Sequence, residues 1–208
     1  MAKKKALPCK RPYTLGKRLE GSDQKRAAIL EAARTQLASG GLPQLTMDSL
    51  ARESGVTRQT IHNLFGTKSG VLEALFDRIA IDGGMERMSH VMQQVDGESM
   101  LAAFVEVFTD FWAKHRMLLR RIHGVAAVDP EFGAVVEARN RRRQMAAGRV
   151  VDRLRGKSSE SEISDRAQKI AALYALTSFS FFDAAIESCG SEKDAAQLVL
   201  ALTRKLLA

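Results

Sequence analysis

Cysteine is scarce in this sequence: among 208 residues only Cys9 and Cys189 carry a thiol, and they are far apart and form no C-x-x-C pair. That scarcity argues against a disulfide framework and a zinc site built on cysteine, and it fits a reducing compartment. Proline is thin as well, confined to Pro8, Pro12, Pro43 and Pro130, which leaves room for long helices. No run of about 18 apolar residues occurs, so nothing reads as a membrane span. The basic start Lys3-Lys4-Lys5 is not followed by an apolar stretch of signal-peptide length. A cytoplasmic location without membrane contact is the expectation.

Acidic excess is also missing. The formal net charge is +8, and its distribution is uneven: residues 1–78 hold 14 Lys/Arg against 7 Asp/Glu, while residues 79–208 hold 18 against 17. Positive charge concentrated in the first third suits a polyanion, because neutralised phosphates release counterions. A basic tail that only aids solubility accounts for the same numbers. Apolar residues at 45% and charged residues at 27% are ordinary for a globular protein of this length.

The pattern along the chain is helical, with no internal repeat and no strand alternation. Residues 1–21 read as a flexible tail, with seven Lys/Arg against Glu20 and breaks at Pro8, Pro12, Gly16 and Gly21. A first helix is expected from Ser22, a good N-cap, through the stripe Ile29, Ala33 and Leu37 to Gly40-Gly41. Thr46 and Thr57 suit the caps of two short helices separated by Gly55. Gly66 closes the second, and Lys68-Ser69 opens a helix with Val71, Leu72, Leu75, Phe76 and Ile79 inward. Gly83-Gly84 should interrupt it. Residues 98–113 then read as one helical segment, Arg116 to Val128 as another, and 130–155 as a basic helix. Gly156 to Ser161 is a polar joint with a capping-box pattern at Ser159 and Glu162. A long helix to about Ser188 and a last one from Ser191 complete the expectation. The domain reading is a tail over 1–21, a DNA-binding unit over 22–79, and a helical effector-binding and dimerisation unit over 80–208.

A helix-turn-helix requires a small residue where its helices approach, a residue tolerant of positive φ four positions later, and an apolar anchor on the second helix. Ala51, Gly55 and Ile61 meet these needs, with Leu50, Val56 and Leu64 inward. On a helical wheel Ile61, Leu64 and Phe65 share the inner side, while Gln59, His62 and Asn63 point away, flanked by Arg58 and Thr60. The outer face thus carries groups that pair with guanine or adenine edges, and no carboxylate. A three-helix corner with a merely solvated polar face is the competing reading.

Residues 24 to 79 resemble the DNA-binding domain of tetracycline-repressor (TetR) family regulators. The resemblance rests on the helix from Arg26 to Ala38 before Gly40-Gly41 and on Leu45-Thr46-Met47-Asp48-Ser49-Leu50-Ala51. It also rests on Gly55-Val56-Thr57, Thr60-Ile61 and Phe65-Gly66-Thr67-Lys68-Ser69-Gly70-Val71-Leu72. It implies an all-α fold with a larger helical domain after the helix-turn-helix. It also implies phosphate contacts from Thr46 and Lys68, and Arg58, Gln59 and Thr60 in the major groove. The DNA-binding set is therefore Thr46, Thr57, Arg58, Gln59, Thr60, His62, Asn63 and Lys68. His62 stands where the family has a phosphate-touching tyrosine, and Leu64 where it has histidine or tyrosine.

The resemblance further implies a homodimer on double-stranded DNA with a small hydrophobic effector, a repressor on a palindromic operator. Phe179, Phe182, Ile186, Leu198, Leu202 and Leu206 are candidates for the dimer face, or else simply close the monomer core. Phe104, Phe108, Trp112, Met117, Met145 and Phe181 are candidate pocket linings, or else ordinary core. Arg139 to Arg143 reads as a solvated helix face or as a second patch for an acidic partner. No cofactor or metal is expected, since His115 and His123 have no ligand companions at metal spacing. An enzyme is disfavoured because no paired carboxylates, G-x-S-x-G or P-loop occur. A helical interaction module without DNA contact is the remaining alternative.

Overall fold

The computed structural model describes residues 15–39, 45–155 and 163–207, with side chains from 21, 45 and 165 onward in the three stretches. Every regular element among them is helical. The first, α1 (Leu15–Ser39), begins seven residues before the Ser22 cap position, because Gly21 and Ser22 weaken a helix without ending it. Residues 1–14 of the basic tail and the Gly40-Gly41 stop lie outside the described residues. Ile29, Ala33 and Leu37 are fully buried on its inner stripe.

The helices α2 (Met47–Ser54), α3 (Arg58–Phe65) and α4 (Lys68–Asp82) follow with the expected caps. Thr46 accepts from the Ser49 N–H while Ser49 accepts from the Thr46 N–H, a reciprocal box. Gly55 takes φ 68°, ψ 21°, the left-handed turn that lets α3 leave α2. The inner side of α4 is Val71, Leu72, Leu75, Phe76 and Ile79, as the spacing requires.

Beyond a single 3-10 turn at Met85–Arg87 and the short α5 (Met88–Val91) stands α6 (Gly97–Ala126). It is one helix of 30 residues where the sequence suggested two segments. No glycine or proline lies between Trp112 and His123, so nothing breaks the ladder. A second helix, α7 (Pro130–Arg155), returns antiparallel to it. Their approach is close at one end: a Cβ on Gly97 would lie 2.9 Å from the Leu154 Cα. Asp129 starts α7 by accepting from the Phe132 N–H at 2.9 Å, with Pro130 at the first helical position.

The long helix expected to reach Ser188 is two helices, α8 (Ile163–Leu176) and α9 (Phe179–Cys189), bent by 57°. Ser178 caps α9 by accepting from the Phe181 N–H. The freed end of α8 is held from elsewhere: the Trp112 indole donates to the Thr177 carbonyl at 3.0 Å, and the Arg143 guanidinium donates to the Tyr174 carbonyl. The Ser159–Glu162 pattern falls outside the described residues. The last helix, α10 (Glu192–Leu207), starts where Ser191 accepts from the Asp194 N–H.

The N-terminal four helices close around α1, and α4 and α1 also pack on α7 and α6 respectively. That shared use of α4 places the helix-turn-helix directly against the C-terminal helices.

Candidate nucleic-acid interface and interior cavity

The helix-turn-helix is set by a small buried core. Leu50 from α2 and Ile61 from α3 are both fully buried, and Ala51, Val56, Leu64 and Phe65 pack around them. Fixing those residues inward turns the rest of α3 outward, since successive positions rotate by about 100°. Arg58, Gln59, His62 and Asn63 are exposed, and Thr60 is half-buried at the flank. The exposed side chains are loosely held. Arg58 stands 3.5 Å from Asp48, with the two side chains 68% and 75% exposed, and Gln59 donates to Asn63 at 2.8 Å. Such contacts yield readily to a partner.

Thr46 and Thr57 are exposed at the starts of α2 and α3, where unpaired N–H groups and the helix dipole favour anions. Lys68 is different. It lies 3.6 Å from Asp129, and both side chains are about three-quarters covered. Ser69 beside it donates to Glu131. The start of α4 is thus clipped to the start of α7. The Phe132 N–H, with help from the Lys68 ammonium, holds the Asp129 carboxyl below the usual carboxylate range.

Two residues that hold this domain escaped the sequence analysis. Gln36 of α1 is buried, donates to Glu53 at 2.6 Å and accepts from Ser49 at 3.0 Å, tying α1 to α2. It falls on the Ile29–Ala33–Leu37 stripe, and a polar residue on an apolar stripe signals a buried partner. Arg26 lies over the Phe65 ring at 4.6 Å, a contact with no local sequence signal.

A cavity of about 290 Å³ opens between α4, α6 and α7. Phe108 and Trp112, two of the candidate pocket residues, line it. The other four candidates do not. Phe104 is fully buried in the core against Phe108, Met117 and Met145 are each 64% exposed, and Phe181 is half-buried away from the cavity. The uninterrupted α6 explains the first of the methionines: five positions past Trp112 a side chain points roughly 140° away. Met145 is two positions past Arg143 and faces out for the same reason. The cavity wall holds residues that composition did not flag, among them Phe76 and Asp77 of α4 and Arg139 and Arg143 of α7. The basic run is therefore not uniformly a solvated face: Arg141 and Arg142 are exposed, whereas Arg139 pairs with Asp77 at 2.8 Å and Arg143 is buried.

The candidate dimer residues also divide. Phe179, Phe182 and Ile186 are buried within their own chain, because the break after Thr177 turns that stripe onto α6. Phe179 meets Trp112 at 5.8 Å and stacks on His123 at 4.9 Å. Leu198 and Leu206 of α10 are exposed and Leu202 is half-buried. Burial and the nearby Arg143 charge keep His123 below the ordinary imidazole range. His115 is lowered by burial first and then by Arg34.

A two-helix corner capped at both N-termini, with a carboxylate-free polar face on its second helix, has the geometry of a helix-turn-helix. Residues 29–75 match the family described as bacterial regulatory proteins, tetR family. Among similar curated proteins is the HTH-type transcriptional regulator EthR of Mycobacterium tuberculosis, 27% identical over 111 residues, 52% of this chain and 51% of the relative. The chain spans about half the length of the curated relatives it matches. In fold it is similar to NalD, the secondary repressor of the MexAB-OprM multidrug efflux pump in Pseudomonas aeruginosa. The TM-score is 0.67 at 18% identity, over 89% of this chain and 96% of NalD. It is also similar to a TetR transcription regulator from Haloarcula marismortui, with TM-score 0.62 at 15% identity, over 89% and 97% of the two chains. Among the described residues no single helix is long and apolar enough to cross a membrane.

Proposed function

We propose that the protein is a ligand-responsive transcriptional repressor that binds a palindromic operator as a homodimer. The observation that carries this reading is the outward face of α3, where Arg58, Gln59, His62 and Asn63 stand exposed over a buried Ile61. Arg58 and Gln59 read base edges in the major groove. Thr46, Thr57 and Lys68 position the helices on phosphates, with Thr60 beside the groove-facing pair and His62 at the margin. One such helix reads few base pairs, so two copies related by a two-fold axis supply the specificity. The exposed leucines of α10, Leu198 and Leu206, supply apolar surface for that pairing.

The effector occupies the cavity between α4, α6 and α7. Phe76 and Asp77 of α4 form part of its wall, and α4 begins at Lys68 beside α3. A ligand that displaces α4 therefore changes the separation of the two recognition helices in the dimer and lowers operator affinity.

Selection of bound duplexes from random DNA tests the reading. A palindromic consensus is expected, with affinity falling steeply as salt rises and dropping roughly tenfold or more for Arg58→Ala. Binding without sequence preference, or no salt-dependent duplex binding, would refute it.

A further inference from the structure

The cavity wall carries positive charge that the protein itself leaves uncompensated. Arg139, Arg142 and Arg143 line it against one carboxylate, Asp77, and Arg139 already occupies that carboxylate at 2.8 Å. Arg143 is the sharper case. It is 6% exposed, and among the described residues no carboxylate pairs with it. Its Nη1 donates to the Tyr174 carbonyl and, at 3.2 Å, to the Thr177 hydroxyl, while its Nε is buried with no partner. Those acceptors are neutral, so they hold the end of α8 without cancelling the charge. Burial pushes the guanidinium down to about 10, against the pull of Tyr174. A guanidinium taken out of water without a counter-ion is costly. The opposite wall is apolar, made by Phe108, Trp112, Leu119 and Ile122 of α6.

We infer that the ligand of this cavity is an amphipathic carboxylate, its head seated on Arg143 and its aliphatic or aromatic body along the α6 wall. The inference rests on the reading of this cavity as the effector site. A volume of about 290 Å³ limits the ligand to a small or medium chain, at the low end of small-molecule sites. The carboxylate meets a fixed planar donor, and its charge replaces the counter-ion that the fold omits.

The sequence has a single tryptophan, Trp112, and it lines the cavity, so its emission reports occupancy directly. The full chain is titrated with decanoate, decanol and decyltrimethylammonium, which share one apolar body and differ in head charge. Decanoate is expected to change the Trp112 emission saturably and to bind roughly tenfold or more tighter than decanol, with the ammonium weakest. In Arg143→Met the acid and the alcohol should converge to within about threefold. Because Arg143 also holds the end of α8, that variant could lose its fold. The acid–alcohol comparison on the unmodified chain then decides alone. Equal binding of acid and alcohol, preference for the ammonium, or no saturable response to decanoate overturns the inference. Duplex binding by the same preparation separates the two readings. A chain that binds a selected duplex but treats acid and alcohol alike fails here only. A chain that prefers decanoate but binds no duplex fails as a regulator only.

Discussion

The two halves of the molecule use arginine in opposite ways. In the helix-turn-helix, Arg58 is 68% exposed and only loosely engaged by Asp48. In the C-terminal helices, Arg143 is 6% exposed, stacks on Tyr174 at 4.0 Å and holds the break between α8 and α9. The first stands free at the surface; the second is built into the chain and lines an interior space. The contrast shows that local charge density in a sequence does not by itself locate a binding surface. Both arginines sit in basic surroundings, and only packing separates their roles.

The largest expected effects come from the cores on which each half rests. Phe132 is fully buried and meets Phe76 across the α4–α7 contact at 5.7 Å. Phe132→Ala should cost about 3–5 kcal/mol in urea unfolding. Ile61→Ala should cost about 2–5 kcal/mol by the same measurement and abolish duplex binding with it, since Ile61 orients the outer face of α3. Comparable duplex affinity in a folded Ile61→Ala protein would break the link between that anchor and that face.

The paired arginine substitutions sharpen the contrast itself. Arg143→Met should destabilise the chain by about 1 kcal/mol, because two acceptors at the end of α8 stay buried without their donor, a loss partly offset by removing a buried charge that lacks a counter-ion. Arg58→Met should change stability by less than about 0.5 kcal/mol while weakening duplex binding by about 1–3 kcal/mol. The reverse pattern, a stable Arg143→Met and a destabilised Arg58→Met, would erase the distinction.

The smallest effect is in pH. His115 and His123 sit in the C-terminal helices with folded values held below 6.5 by burial first, then by Arg34 for His115 and Arg143 for His123. Above 6.5 both are neutral in folded and unfolded chains, and their contribution is fully present. As pH falls below 6.5 the unfolded chain takes up protons first, so stability declines until the folded imidazoles titrate. A thermal midpoint that falls between pH 7 and 5.5, and falls less in His123→Gln, is expected. A midpoint that rises over that window would contradict the burial of both rings.

Legibility in the sequence follows the range of the forces involved. The helix-turn-helix was readable because its determinants are local: threonine caps, a left-handed glycine, and an anchor ten positions after a small residue. The same holds for the buried face of α4 and the Ser191 start of α10. The break at Thr177–Ser178 was not readable because Trp112 and Arg143, far away in the chain, satisfy the carbonyls it frees. The cavity was half readable. Phe108 and Trp112 lie on the apolar stripe of α6, but Met117 and Met145 look like lining only until helix phase places them outside. Apolar character alone could not assign Phe179, Phe182 and Ile186 to their own core or to a partner. The direction of α9 after the break decided it.

The Lys68–Asp129 contact has a consequence for the thermodynamics of duplex recognition. A lysine that neutralises a phosphate releases a cation condensed on the duplex, but Lys68 must first leave a carboxylate. In the proposed complex a phosphate replaces Asp129 as the companion of Lys68, and the carboxylate left bare beside the duplex retains a cation in place of the one released, so Lys68 contributes geometry with little net effect on the salt dependence. The carboxylate it abandons is the one that opens α7, so the cost of that exchange is felt at the entrance to the C-terminal helices. Asp129→Asn should therefore make the logarithmic salt slope steeper by roughly one ion, an outcome that ties the ionic atmosphere of the nucleic acid to a helix cap on the far side of the α4–α7 contact.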